Sequence, residues 1–152
     1  MKSLLRRIVV DVVTSHAPRA GTTGQVFLGL GGREFRLSVA GVKAFEQGAE
    51  STFQLGDDAN VEYPERNDPR LGDPLTVADV LGIPAYIRLD THHDRDDWNV
   101  SSVAVRVHSQ GERRAIRFSV LDKPGQDLWL GIESGTKLYL QLGNLDDLDL
   151  QS

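Results

Sequence analysis

The strongest constraint in this chain is a period of two. Short runs of β-branched and aromatic residues alternate apolar with polar positions and stop at turn residues. Arg7–Thr14 sets Ile8, Val10 and Val12 against Val9, Asp11 and Val13. Val26, Leu28 and Leu30 share one side of the next run. Gly31-Gly32 then turns the chain and Phe35, Leu37 and Val39 follow, which predicts a hairpin. Thr52–Leu55 is a shorter run. Ile87 and Leu89, then Val103, Val105 and Val107, then Ile116, Phe118 and Val120 repeat the pattern, and Leu128–Ile132 and Lys137–Leu142 finish it. Successive strand residues point to opposite faces, so each run has one dry face and one wet one. Two antiparallel sheets packed dry face to dry face satisfy them all. The expectation is an all-β sandwich of eight or nine strands.

One segment breaks the rhythm. Asp57–Pro84 holds Asp57, Asp58, Glu62, Glu65, Asp68, Asp73 and Asp79 together with Pro64, Pro69, Pro74 and Pro84. Prolines and like charges resist strand pairing. Thr76-Val77-Ala78-Asp79 fits a capping box, so a short helix is expected within Leu75–Leu81. A connection of this length is expected to be a surface excursion, functional or mobile. The tail Asn144–Ser152, in which leucines alternate with Asp146, Asp147 and Asp149, reads as a frayed end or a short docking segment. No internal repeat or domain boundary interrupts the chain, so one domain is expected over residues 1–152.

The 152 residues suffice for one real core. The formal net charge of −5 argues against a dedicated nucleic-acid binder, which would carry a basic stripe. With no cysteine there is neither a disulfide framework nor a thiolate site. No segment reaches the ~20 apolar residues of a membrane span, and no signal peptide is visible. Read as given, the chain is expected to be cytoplasmic unless it is one module of a longer protein.

Catalytic constellations are missing: no serine sits in a nucleophile elbow and no glycine-rich loop precedes Lys-Ser/Thr. The densest chemical cluster is Asp90-Thr91-His92-His93-Asp94-Arg95-Asp96-Asp97-Trp98. Several carboxylates on one loop are what a hard cation such as calcium needs, and also what a solvated acidic loop looks like. His92, His93 and Asp94 invite a transition-metal reading, but neighbouring residues at a strand end point opposite ways and rarely reach one ion. Trp98 is expected in the core. Trp129 should face away from Leu128 and Leu130, packed on the other sheet or exposed. Arg113, Arg114 and Arg117 read as a solvated hairpin edge.

Three ordered stretches resemble the PLAT, or lipoxygenase-homology, family. The first is Ile8–Thr14, a turn Ala20-Gly21-Thr22-Thr23-Gly24, and a strand ending Leu28-Gly29-Leu30-Gly31. The second is Phe45-Glu46-Gln47-Gly48 followed by Thr52–Leu55. The third is Ile87-Arg88-Leu89, then Asp96-Asp97-Trp98-Asn99 and the following strand. The resemblance covers Arg7–His108 and implies an eight-stranded antiparallel sandwich. It places the Ala20–Gly24 turn and the acidic loop at one end, where family members bind calcium and meet membranes or proteins. By position it makes Asp97 a calcium ligand and Glu46 an acidic group of a neighbouring site, with the Gly21 carbonyl available. The candidate metal set is therefore Gly21, Thr23, Glu46, Asp94, Asp96 and Asp97. The family's Asp after Gly-Thr is Thr23 here, and Lys43 and Ala44 replace further ligands. With fewer carboxylates, calcium affinity is expected near ~10⁻⁴–10⁻³ M.

The reading is a non-catalytic module that binds through its end loops, helped by calcium. A protein partner ranks ahead of a lipid surface, because the first loop, Ser15–Ala20, carries no aromatic residue. The alternatives are a structural subunit that assembles with copies of itself, and a metal-dependent enzyme using His92, His93 and Asp94.

Overall fold

The computed structural model describes residues 3–92 and 95–143. They form ten strands: β1 (Leu5–Thr14), β2 (Gln25–Leu30), β3 (Arg33–Arg36), β4 (Glu50–Gly56), β5 (Tyr86–Asp90), β6 (Trp98–Ser109), β7 (Ile116–Val120), β8 (Leu128–Leu130), β9 (Lys137–Tyr139) and β10 (Gln141–Leu142). A single short helix, α1 (Val77–Gly82), lies between β4 and β5. One sheet runs β10-β7-β6-β1-β4, with β8 also paired to β6, and the other runs β3-β2-β5-β9. All strand pairs are antiparallel.

The alternation explains the packing. In the larger sheet, Phe53, Val10, Val105 and Phe118 form one row across four strands. In the smaller sheet, Phe35, Leu28, Ile87 and Leu138 do the same. Both rows are buried and belong to one core. The expected two-sheet sandwich is what the residues form.

The strand count exceeds eight for a physical reason. Lys137–Leu142 is two strands rather than one run. Lys137–Tyr139 pairs with β5, and Gln141 and Leu142 pair with β7 in the opposite sheet. Leu140, at the crossing, is buried and its N–H bonds the Ala85 carbonyl at 2.9 Å. Strand β8 is a three-residue stub in which only Leu130 is buried. Leu128 and Trp129 are both exposed, so simple alternation fails there.

Residues 57–84 run over the surface, as expected, but are docked on the sandwich at several points. Val61, Leu75 and Val80 enter the core, and Asn67 and Asp68 are buried polar residues. Asn67 accepts from the Arg36 N–H at 2.7 Å and donates to the Glu62 and Tyr63 carbonyls. The Arg33 guanidinium donates to the Leu71, Asp73 and Asp68 carbonyls. Arg70 joins Asp68 at 2.8 Å to Asp57 at 2.5 Å, and Arg6 of β1 lies 3.7 Å from the same Asp57. Thr76 caps α1 through its hydroxyl, and Asp79 returns the bond to the Thr76 N–H. The prolines deny this segment a sheet ladder, and side chains supply the missing partners.

The segment covers the end of the sandwich where β1 begins, through Leu5 N–H to the Leu75 carbonyl and Val77 N–H to the Ser3 carbonyl. The opposite end, where β1 and β7 finish and β2, β4 and β6 start, carries the loops discussed next. The tail 144–152 lies outside the described residues.

Candidate functional site

Trp98 anchors the loop end. It is fully buried, and its indole N–H donates to the Thr14 hydroxyl at 2.9 Å, so a partner on another strand satisfies it. Phe45 meets it edge-on at 5.1 Å and stacks on Phe53 at 5.6 Å. The Phe45-Glu46-Gln47 segment is thus nailed inward by its phenyl ring while Glu46 and Gln47 stay exposed. Gly21 packs on the backbone of this segment. A Cβ there would lie 2.8 Å from the Gln47 nitrogen, so the close approach admits only glycine. The Thr22 N–H then bonds the Phe45 carbonyl at 3.0 Å.

Asp96 closes the arrangement from the other side. One carboxylate oxygen accepts from the Thr23 N–H at 3.2 Å. The other accepts from the Thr23 hydroxyl at 3.2 Å and the Thr91 hydroxyl at 3.1 Å. The Asp96 carbonyl takes the Thr22 hydroxyl. The result is a shallow hollow lined by Gly21, Thr22, Thr23, Glu46, Gln47 and Asp96.

Four of the six expected residues, Gly21, Thr23, Glu46 and Asp96, therefore share one hollow. Asp97 does not line it. Its carboxylate lies over Gly131, where a Cβ would come 2.0 Å from Oδ1. Asp94 lies outside the described residues, as does His93, so neither it nor the His92-His93-Asp94 reading gains a geometry. Among the described residues no three His, Cys, Asp or Glu side chains converge as a metal cluster would. As a calcium site the hollow offers two carboxylates, one of them already holding three donors, with hydroxyl and carbonyl oxygens around them.

Two further features reach beyond the expected site residues. Leu128, Trp129 and Ile132 are 40%, 38% and 51% exposed, and they flank the stretch that pairs Trp98 with Leu130 and sets Asp97 on Gly131. Leu128 and Trp129 point to opposite faces of β8, so the three mark an exposed apolar edge at the loop end, a shoulder with side chains on both sides. The signal available was Trp129 itself, but alternation leaves open whether anything covers it. The second feature is a cleft of 440 Å³ between the start of β2 and residues 36–46, sharing Thr22, Thr23 and Glu46 with the hollow.

No family model matches the chain, and no curated protein matches it in sequence. Solved structures do share its fold. The alpha toxin of Clostridium absonum is 19% identical with a TM-score of 0.57, over 93% of this chain and 32% of the toxin. The alpha-toxin of Clostridium perfringens gives 15% and 0.57, over 92% and 32%. Coral 8R-lipoxygenase, described as activated by calcium through a C2-like domain, gives 19% and 0.54, over 91% of this chain and 17% of the enzyme. The chain thus spans a third or less of these proteins. At such identities the likeness carries the fold.

Proposed function

We propose that this chain is a non-catalytic binding module that lays its loop end on a lipid surface, assisted weakly by calcium. The observation that carries the reading is the pairing, at one end of the sandwich, of the Glu46–Asp96 hollow with the exposed shoulder Leu128, Trp129 and Ile132. An amphipathic indole beside aliphatic side chains suits the boundary between head groups and acyl chains. The shoulder moves lipid ahead of the protein partner favoured by the aromatic-free first loop. Coral 8R-lipoxygenase, with its calcium-activating C2-like domain, supports the same reading by analogy of fold.

Magnitudes explain why calcium would matter. Fully burying such a side chain is worth about 1.5–3 kcal/mol, and these are already half covered, so each adds roughly 1 kcal/mol. Three of them give reversible binding that needs an electrostatic supplement. A cation shared between Glu46, Asp96 and lipid phosphates would neutralise the acidic rim and supply it.

The test is co-sedimentation with phosphatidylcholine–phosphatidylserine vesicles, with calcium or with chelator, reading Trp129 fluorescence in parallel. Binding strengthened by calcium, with a blue shift absent from Trp129→Phe, is the expected result. Wild type that stays in the supernatant under every condition would overturn the reading, and so would Trp129→Ala binding as wild type does.

A further inference from the structure

We propose that the cleft beside the hollow takes the phosphate of an anionic phospholipid head group, held by Arg36 and Lys43. The inference rests on the lipid-surface reading and extends it to a contact that needs no metal ion.

The fold makes this cleft for local reasons. Strand β3 ends at Arg36, and one more bond, from the Leu37 N–H to the Val26 carbonyl at 2.9 Å, holds the chain to the sheet. The backbone then leaves the sheet, turns at Gly41 with φ of +73°, and re-enters the core at Ala44 and Phe45. The gap between the two paths has an apolar floor, with Val26 and Leu37 each 1% exposed and Phe45 7%. Its volume falls within the ~300–1,000 Å³ of ordinary small-molecule sites.

The lip is amphipathic. Val42 is 56% exposed beside Lys43, and Arg36 stands on the opposite wall. Three other arginines are engaged within the fold: Arg70 on Asp57 and Asp68, Arg88 on Glu34, and Arg33 on three backbone carbonyls. Among the described residues, Arg36 and Lys43 enter no ion pair. Two cations held over an apolar floor, with an aliphatic side chain at the mouth, suit a phosphate that brings a hydrocarbon tail.

Glu46 lines both the cleft and the hollow. Unneutralised, it opposes an anion in the cleft. A cation in the hollow removes that opposition, so calcium and head group should reinforce one another, each raising the other's affinity by the same factor.

The experiment compares wild type, the Arg36→Gln/Lys43→Gln double variant and Arg113→Gln on phosphatidylserine-containing vesicles in chelator, after checking that urea midpoints agree. Each lost charge should weaken binding about five-fold, giving roughly 25-fold for the double variant, with little effect from Arg113 at the other end of the sandwich. Equal losses in the double variant and Arg113→Gln would mean diffuse attraction and overturn the proposal. An unchanged double variant would overturn it while leaving the Trp129-dependent lipid reading intact. Wild type that binds soluble glycerol phosphate, seen as amide shifts over 36–46, yet ignores vesicles would exclude the lipid source. Loss of vesicle binding in Trp129→Ala with retention in the double variant separates the two claims completely.

Discussion

Asp96 grips Thr23 at two points, accepting from its N–H with one carboxylate oxygen and from its hydroxyl with the other, each at 3.2 Å. This bond pair, with Thr91 added, ties the acidic loop to the first turn across 73 residues of sequence. Asp96→Ala should therefore cost about 1–2 kcal/mol in urea unfolding, the range for a few partly exposed bonds to a charged acceptor. Calorimetric titration should show calcium binding weakened more by Asp96→Asn or Glu46→Gln than by Asp97→Asn, whose carboxylate sits on Gly131. The reverse order would move the site to Asp97.

Thr14 and Trp98 offer a sharper stability test. Thr14→Val keeps the volume and strands a fully buried indole N–H. The expected loss is about 1–3 kcal/mol, while Thr14→Ser, which keeps the acceptor, should lose much less. Denaturant midpoints at constant slope decide it.

Tyr86 lies across Gly29 on the outer face of the smaller sheet. A Cβ at Gly29 would come 2.2 Å from its ring. The phenol donates to Glu34 at 2.6 Å, and Arg88 clamps the same carboxylate through two bonds of 2.8 Å. The Glu34 hydrogen bond, with burial and the carboxylate's charge, favours the neutral phenol and pushes its pKa up to about 12. The stability this brings is fully present below the ordinary tyrosine value near 10 and is lost as pH rises through about 12. Gly29→Ala should displace the ring and return the phenol toward ~10, as read by ultraviolet titration of phenolate.

Arg70 controls the acid limb. Its hydrogen bonds and charge hold the Asp68 carboxyl below the usual range against the opposing pull of burial. A depressed carboxylate stabilises the fold above its unfolded pKa and loses that contribution as pH falls through the folded value. Arg70→Met should cost about 1–2 kcal/mol at neutral pH, discounted because the guanidinium is 37% exposed, and should flatten the loss of stability below pH ~4. Urea midpoints measured against pH provide the check.

Trp129→Ala should lower the unfolding free energy by no more than about 1–2 kcal/mol, because 38% of the residue is already exposed and only the covered part of its ring is lost. A larger loss would make Trp129 a packing residue and remove it from the contact surface.

Much of the sandwich could be read from residues alone. The rows Phe53-Val10-Val105-Phe118 and Phe35-Leu28-Ile87-Leu138 are the alternating positions themselves, and the Thr76–Asp79 box stands where its spacing put it. Alternation is a local property of extended backbone, so it survives without knowledge of neighbours. Tertiary structure alone decided three other matters. It took Leu140 across from one sheet to the other, and it carried Val61, Leu75 and Val80 into the core from a segment whose prolines suggested surface. It also aimed two adjacent carboxylates apart, Asp96 to Thr23 and Asp97 to Gly131. In each case the outcome depends on which distant group stands opposite, and no pattern within a few residues contains that information.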